Sequence, residues 1–139
     1  AVMRHRLLLL LSCLSLAACS RPSQTEMFIR ADKADGGVYS FPVEMTDSLA
    51  SYDFWFYSRL FSGSIGNLEL RVSWTAPSGE SFYETVYMEK VDSHGVRELY
   101  RSGVVPAEYG EWKLNVRPVD PVKDFLGLGL IAIRNDGTR

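Results

Sequence analysis

Cysteine and histidine are scarce in this sequence, and both shortages limit its chemistry. The two cysteines are Cys13 and Cys19, so no thiol follows residue 19 to form a disulfide, bind zinc or act as a nucleophile. Of the two histidines, only His94 follows residue 19, and no Gly-x-Ser-x-Gly motif accompanies it. We therefore expect His94 in a surface loop over residues 92–95, and no Ser-His-Asp triad.

Acidic residues with a ligand-like or catalytic spacing are also lacking. Asp32 and Asp35 lie in a polar segment, but calcium needs about six to eight oxygen ligands and the remaining spaced acids are absent. Glu108 and Glu111 could form the carboxylate pair of a glycosidase, yet each fits an exposed strand or turn equally well. We predict no catalytic residue, no metal site and no cofactor, and hence a protein that is not an enzyme.

The chain has no excess of basic charge. Its net charge is −2, and removing residues 1–18 takes away two arginines and no acid, which leaves −4. Nucleic-acid binding requires clustered lysine and arginine, so we predict no nucleic-acid partner. The length suits one domain with one hydrophobic core.

No apolar run is long enough to span a bilayer, and the longest mostly apolar run is near the beginning, where Arg4 and Arg6 precede residues 7–16. This run is too short to span a bilayer, which needs about 20 apolar residues. A basic head, a short apolar centre and small residues are typical of a secretory signal peptide. We predict a helical signal peptide over residues 1–18.

The residues Leu16, Ala17, Ala18 and Cys19 match the bacterial lipobox. Small residues admit the peptidase, and the thiol of Cys19 accepts diacylglycerol, so we predict cleavage before Cys19 and a lipid anchor on it. Ser20 is not the aspartate that commonly retains lipoproteins at the inner membrane. We expect an exported protein, anchored to the outer membrane and facing the periplasm. An ordinary signal peptide and a buried helix are the alternatives.

Residues 19–37 are rich in polar and small residues, and we predict a lipidated N-terminus and tether there, with a short strand at 27–30 as an option. From residue 38 onward, apolar residues alternate with polar ones, which is typical of half-buried strands. We therefore assign residues 38–139 to one β domain. The side chains predicted to point inward are Leu68, Leu70, Val72, Trp74, Trp112, Leu114 and Val116.

Turn residues and strand count predict the fold class. Residues 76–80, Ala-Pro-Ser-Gly-Glu, favour a turn between a strand that ends near Trp74 and one over residues 81–88. Residues 52–57 are aromatic on both faces and 125–133 are apolar throughout, so both are expected in the middle of a sheet. Seven or eight short strands predict an antiparallel β-sandwich, either immunoglobulin-like or a jelly-roll.

Four aromatic residues are candidates for a binding face. If Phe54 and Phe56 face the core, the aromatic residue that follows each of them faces outward. The tyrosines that follow Phe82 and Val86 alternate in the same way. The candidates are Trp55, Tyr57, Tyr83 and Tyr87. Exposed tryptophan and tyrosine stack on sugar rings or anchor a protein partner. The alternative is that a second sheet or a loop buries them.

The order of the segments, together with a few short motifs, resembles one bacterial family. A lipobox precedes the strand-like segments GGVYSFPVEM and YDFWFYSRL. The motifs are Pro77-Ser78-Gly79, Tyr109-Gly110-Glu111-Trp112 and Gly127-x-Gly129. Over residues 38–135 this pattern resembles the gliding-motility lipoprotein H family.

The resemblance implies a non-catalytic accessory lipoprotein that supports the assembly or stability of gliding and type IX secretion components. It implies a protein partner in the cell envelope and carries over only Cys19, as the lipid attachment site. A glycan-binding lipoprotein that uses the aromatic candidates is the alternative, and a hydrolase with a carboxylate pair is a third hypothesis.

Overall fold

A computed structural model describes residues 23–136. The predicted signal peptide, Leu16, Ala17, Ala18 and the lipid attachment site Cys19 lie outside the described residues. The strands are β1 (Gln24–Arg30), β2 (Tyr39–Met45), β3 (Ser51–Leu60), β4 (Ser64–Thr75), β5 (Ser81–Asp92), β6 (Val96–Val104), β7 (Gly110–Pro118) and β8 (Phe125–Asn135). A short 3-10 helix, Ala31–Lys33, follows β1.

The strands form two four-stranded antiparallel sheets. Sheet 1 has the order β1-β8-β3-β6, and sheet 2 has the order β2-β7-β4-β5. The predicted antiparallel β-sandwich is therefore confirmed. Only β4 and β5 are consecutive neighbours within a sheet, and the other connections cross between sheets. Of the two topologies that the sequence leaves open, this eight-stranded order is the jelly-roll.

The crossing connections gather at the two ends of the sandwich. Register places the start of β1 beside the end of β8, and the end of β8 beside the start of β3 (Gln24↔Ile133 and Ser51↔Asn135). The end of the sandwich that holds Ser23 therefore also holds the loops 46–50, 76–80 and 105–109. We call it the entry end. The opposite end holds the loops 61–63, 93–95 and 119–124.

The core between the sheets follows the predicted alternation. Of the residues predicted to point inward, those that are buried are Leu68, Leu70, Val72, Trp112, Leu114 and Val116. Trp74 also points inward and packs against the core. It is only partly buried because it lies one residue before the end of β4, at the entry end. The predicted central strands are confirmed as well, since β8 and β3 occupy the middle of sheet 1.

The structured domain begins earlier than the sequence predicts. All of residues 24–30 form β1, which pairs with β8 from Gln24 to Arg30, whereas the sequence predicted a tether with an optional strand at 27–30. Met27 and Ile29 pack against the core, while the intervening Phe28 covers the opposite face of the sheet. Residues 24–30 of the segment predicted as a tether therefore belong to the sandwich.

Within residues 23–136, the structure contains no helix with the length and apolar character needed to cross a bilayer.

Candidate binding surfaces

The four aromatic candidates do not form one surface. Trp55 and Tyr57 lie on β3 and face outward from sheet 1, whereas Tyr83 and Tyr87 lie on β5 and face outward from sheet 2. The outer faces of a two-sheet sandwich point in opposite directions, so the prediction of a single platform is wrong. Alternation along each strand gave the outward direction correctly, but it carries no information about which sheet a strand joins.

The outer face of sheet 1 brings together an apolar and aromatic set. Register aligns Ile131, Trp55 and Leu99 in one row across β8, β3 and β6. The neighbouring row contains Phe28 and Tyr57 on either side of Gly129. We call Phe28, Trp55, Tyr57, Leu99 and Ile131 the aromatic face. Phe28 is 43% exposed and Leu99 is 47% exposed, although both are large hydrophobic residues.

Glycines create the floor on which Phe28 lies. A Cβ atom at Gly127 would lie 2.3 Å from the carbonyl oxygen of Ile29 and 2.7 Å from Phe28 Cζ, and one at Gly129 would lie 3.2 Å from Phe28 Cδ2. The phenyl ring therefore occupies the space that side chains at these positions would fill. Its edge-to-face contact with Tyr57, at 5.9 Å between centroids, is a favourable aromatic geometry.

The other aromatic rings of this face are also fixed in place. The guanidinium of Arg97 lies 4.6 Å above the ring of Trp55, within cation–π distance. The ring of Tyr57 packs against Gly95, where a Cβ atom would lie 2.3 Å from the tyrosine hydroxyl. Gly95 also has a φ of 91°, a conformation that other residues rarely adopt. These contacts define the positions of the Trp55 and Tyr57 rings on the aromatic face.

Charged residues border the aromatic face. Arg30 and Arg59 flank Gly127 at one side, and Glu26 lies beside Ile131. Arg59 donates a hydrogen bond from Nε to the carbonyl of Ser93 at 2.9 Å. An apolar, aromatic centre inside a charged rim is the usual anatomy of a protein–protein interface, in which arginine and aromatic residues are enriched.

A second surface, on the outer face of sheet 2, has a different chemistry. It is a groove of about 590 Å³. The residues that line it through their side chains on the outer face are Arg71, Ser73, Tyr83, Thr85, Asn115 and Arg117. We call it the polar groove. Tyr83 is 79% exposed beside it. Tyr87 lies about 13 Å further along the strand, and its hydroxyl donates a 3.4 Å hydrogen bond to Glu69.

The polar groove carries positive charge. Arg71 and Arg117 are directly opposite each other on β4 and β7, although like charges at such positions repel. In the part of the chain that the structure describes, neither arginine makes an ion pair. Both guanidinium groups are therefore free to bind an anionic or hydroxyl-rich ligand.

A partly buried polar network links the two sheets between β5 and β6. Glu84 lies on the inner face of β5, opposite Val72, and accepts hydrogen bonds from the Tyr100 hydroxyl and from Arg101 Nη2. The Trp74 indole donates a 2.9 Å hydrogen bond to the same hydroxyl. Burial, and then the hydrogen bond to Glu84, raise the pKa of Tyr100. Sequence alternation missed this network because it gives no sign that a glutamate faces inward.

The two carboxylates considered above as a catalytic pair, Glu108 and Glu111, lie in different surroundings. Glu108 accepts hydrogen bonds from the Ser78 backbone at 3.1 Å and from its hydroxyl at 2.8 Å, which ties the loop 105–109 to the loop 76–80. Glu111 is exposed and lies opposite Glu44 on β2. His94 is exposed in the β5–β6 turn, as predicted, and its amide donates to Asp92. Among residues 23–136 no three His, Cys, Asp or Glu side chains converge as metal ligands.

Fold and surfaces together define an eight-stranded jelly-roll domain with two exposed, chemically distinct sheet faces. No protein-family model and no curated protein sequence matches the chain. Among solved structures, a protein from Sulfurospirillum deleyianum is 7% identical with a TM-score of 0.47, covering 86% of this chain and 100% of its own.

Two further solved structures resemble the chain more distantly. The dimeric latent PorU from Porphyromonas gingivalis is 11% identical with a TM-score of 0.38; the match covers 82% of this chain but only 13% of PorU. A family 11 carbohydrate-binding module from Clostridium thermocellum, solved with a mixed-linked tetrasaccharide, is 5% identical with a TM-score of 0.29, covering 84% of this chain and 89% of the module. At these TM-scores the comparisons assign neither a family nor a ligand to the chain.

Proposed function

We propose that this protein is a non-catalytic, lipid-anchored protein of the bacterial envelope that binds a protein partner through the aromatic face. The observation that carries the proposal is the half-exposed pair Phe28 and Leu99, which flank the ordered rings of Trp55 and Tyr57. Rigid aromatic side chains lose little entropy on binding, so their burial by a partner contributes strongly to affinity.

The lipid anchor is supported by the lipobox residues Leu16, Ala17, Ala18 and Cys19. Cleavage before Cys19 leaves a tether of residues 20–23 before β1 begins. The outer membrane, with the domain facing the periplasm, is the proposed location because Ser20 replaces the aspartate that marks inner-membrane retention.

The resemblance to the gliding-motility lipoprotein H family supports a partner among gliding and type IX secretion components, which the protein would help to assemble or stabilise. A purely binding role is consistent with the carboxylates, because Glu84 and Glu108 are both occupied by hydrogen bonds from neighbouring residues.

Complementation of a deletion strain tests this function. Leu99→Asp places a charge on the aromatic face at an exposed position, and Tyr87→Asp is the matched control on the exposed face of sheet 2. We expect the deletion to lower the amounts of gliding and secretion components in the envelope. Wild type and Tyr87→Asp should restore them and Leu99→Asp should not. Restoration by Leu99→Asp at normal protein levels would refute the role of the aromatic face.

A glycan-binding function is the second candidate, and the polar groove favours it. Tyr83 offers a ring for stacking, and Arg71, Asn115 and Arg117 offer hydrogen-bond donors within one groove. Calorimetric titration with cell-envelope polysaccharides, using wild type and Tyr83→Ala, tests it. Binding that disappears in Tyr83→Ala but survives in Leu99→Asp would establish this function in place of the first.

A further inference from the structure

Large exposed hydrophobic side chains are distributed unequally between the two ends of the sandwich. Among residues 23–136, the entry end has Leu49, Phe82, Val105 and Tyr109, which are between 45% and 70% exposed. The opposite end has Phe61 as its large exposed hydrophobic residue in the same part of the chain. We call the first four residues the apolar tip.

The apolar tip is continuous with a cavity that opens at the same end. This cavity has a volume of about 260 Å³, and its walls include Phe82, Trp112, Val105 and Pro106. The loops that carry the tip are tied together, because Glu108 binds Ser78 across them. The loops therefore hold the apolar tip in a defined arrangement. Its exposure to water is unfavourable by about 25 cal/mol per Å² of apolar surface.

The position of the anchor determines what this surface meets. Ser23 belongs to the entry end, where its carbonyl accepts a 2.7 Å hydrogen bond from the Arg134 amide. An extended chain spans at most about 3.6 Å per residue, so Ser23 lies within about 14 Å of Cys19. If Cys19 carries lipid, the entry end faces the bilayer and lies within reach of it.

We propose that the apolar tip rests on the bilayer surface as a second membrane contact, in addition to the lipid on Cys19. This inference depends on the anchor in the proposed function. Leucine and valine side chains enter the headgroup boundary, and Tyr109 and Phe82 suit the interface, where aromatic residues are enriched. The acids at this end, Asp47, Glu80 and Glu108, disfavour an anionic surface, so a zwitterionic lipid surface suits it better.

This contact would set the orientation of the domain. With the entry end on the membrane, the strands point away from the bilayer. The aromatic face and the polar groove then lie on opposite sides of the domain. Both surfaces then remain open to partners that move along or project from the same membrane.

Fluorescent labels on single cysteines test the proposal. Cys19 loses its free thiol when lipidated, so Leu49→Cys or Val105→Cys supplies a single reactive thiol in the mature chain. Phe61→Cys is the matched control at the opposite end. Each lipidated, full-length mature protein is labelled with an environment-sensitive nitrobenzoxadiazole probe and reconstituted into phosphatidylcholine–phosphatidylethanolamine vesicles with brominated acyl chains.

We expect labels at positions 49 and 105 to be quenched by the brominated chains at least about threefold more than the label at position 61. Equal quenching at all three positions in lipidated protein would overturn the membrane contact and leave the anchor intact. Mass spectrometry of the same samples shows whether Cys19 carries diacylglycerol; its absence would overturn the anchor and this inference together.

Discussion

The ring of Phe28 meets the ring of Tyr57 edge to face, 5.9 Å between centroids, across the glycines of β8. This contact joins the first strand to the third, although the two strands do not pair with each other. Residues 24–30, which the sequence predicted as part of a tether, are therefore a strand of sheet 1, and Phe28 belongs to the proposed binding surface. The stability of β1 and the integrity of the aromatic face therefore depend on the same glycines.

Replacing Gly127 tests that dependence. Gly127→Ala places a methyl group against the Ile29 carbonyl and the Phe28 ring. We therefore expect the unfolding free energy to fall by about 1–3 kcal/mol. Urea denaturation followed by tryptophan fluorescence measures it. Gly66→Ala is the control, because a Cβ there would meet only the Glu89 carbonyl, at 3.7 Å. Equal stabilities of the two variants would contradict the proposed packing.

The network around Tyr100 should contribute to stability at neutral pH. Tyr100→Phe removes the hydroxyl that accepts from Trp74 and donates to Glu84, and we expect a loss of about 1–3 kcal/mol. The pKa of Tyr100 is raised, mainly by burial, so its contribution is fully present below the unfolded pKa of about 10 and is lost as pH rises through the folded pKa. The difference between wild type and Tyr100→Phe should narrow above pH 10. A constant difference from pH 7 to 11 would rule out this linkage.

Asp53 should make the unfolding free energy of the sandwich decrease at acidic pH. Its carboxylate accepts hydrogen bonds from the Gly103 amide at 2.7 Å, from Asn135 at 3.0 Å and from Ser102 at 3.1 Å, where β3 and β6 shift register. The Gly103 and Asn135 hydrogen bonds hold its pKa below the ordinary value.

A depressed pKa stabilises the fold above the unfolded value of about 3.9, and the effect is lost as pH falls through the folded value. Asp53→Asn should therefore be less stable than wild type at pH 7, with a difference that shrinks below pH 4. Denaturation curves between pH 2 and 7 measure this, with Asp120→Asn as the exposed control. Parallel curves for wild type and Asp53→Asn would contradict it.

Replacing Cys19 tests the anchor directly. Cys19→Ser removes the thiol that accepts diacylglycerol, and with it the signal for cleavage by a lipoprotein peptidase. We expect uncleaved precursor and no labelling by a palmitate analogue in cells. Continued labelling and cleavage after Ala18 would show that the lipobox interpretation is wrong.

The sequence allowed the strands and the core to be predicted because both depend on local alternation. Leu70, Val72 and Leu114 point inward since each is flanked by polar neighbours on a half-buried strand. The hairpin at residues 76–80 followed from its Pro-Ser-Gly turn, and its Gly79 has a φ of 94°. These features require knowledge of neighbouring residues only.

Features that depend on the arrangement of distant strands were not predictable in this way. β1 pairs with β8, and its Phe28 packs over Gly127 and Gly129, roughly a hundred residues later in the chain. Tyr83 and Trp55 face outward as predicted, yet they belong to opposite sheets. Glu84 is partly buried and accepts hydrogen bonds from Tyr100 and Arg101 of the next strand, which no spacing along the chain indicates.

Site-specific photocrosslinking in living cells measures binding at the aromatic face. Benzoylphenylalanine at position 99 samples that face, and the same residue at position 87 samples the exposed face of sheet 2. We predict a discrete crosslinked product from position 99, which contains a gliding or type IX secretion component and is absent when Trp55→Ala is introduced. Position 87 should give no such product. The same product from position 87 and none from position 99 would contradict a partner on the aromatic face.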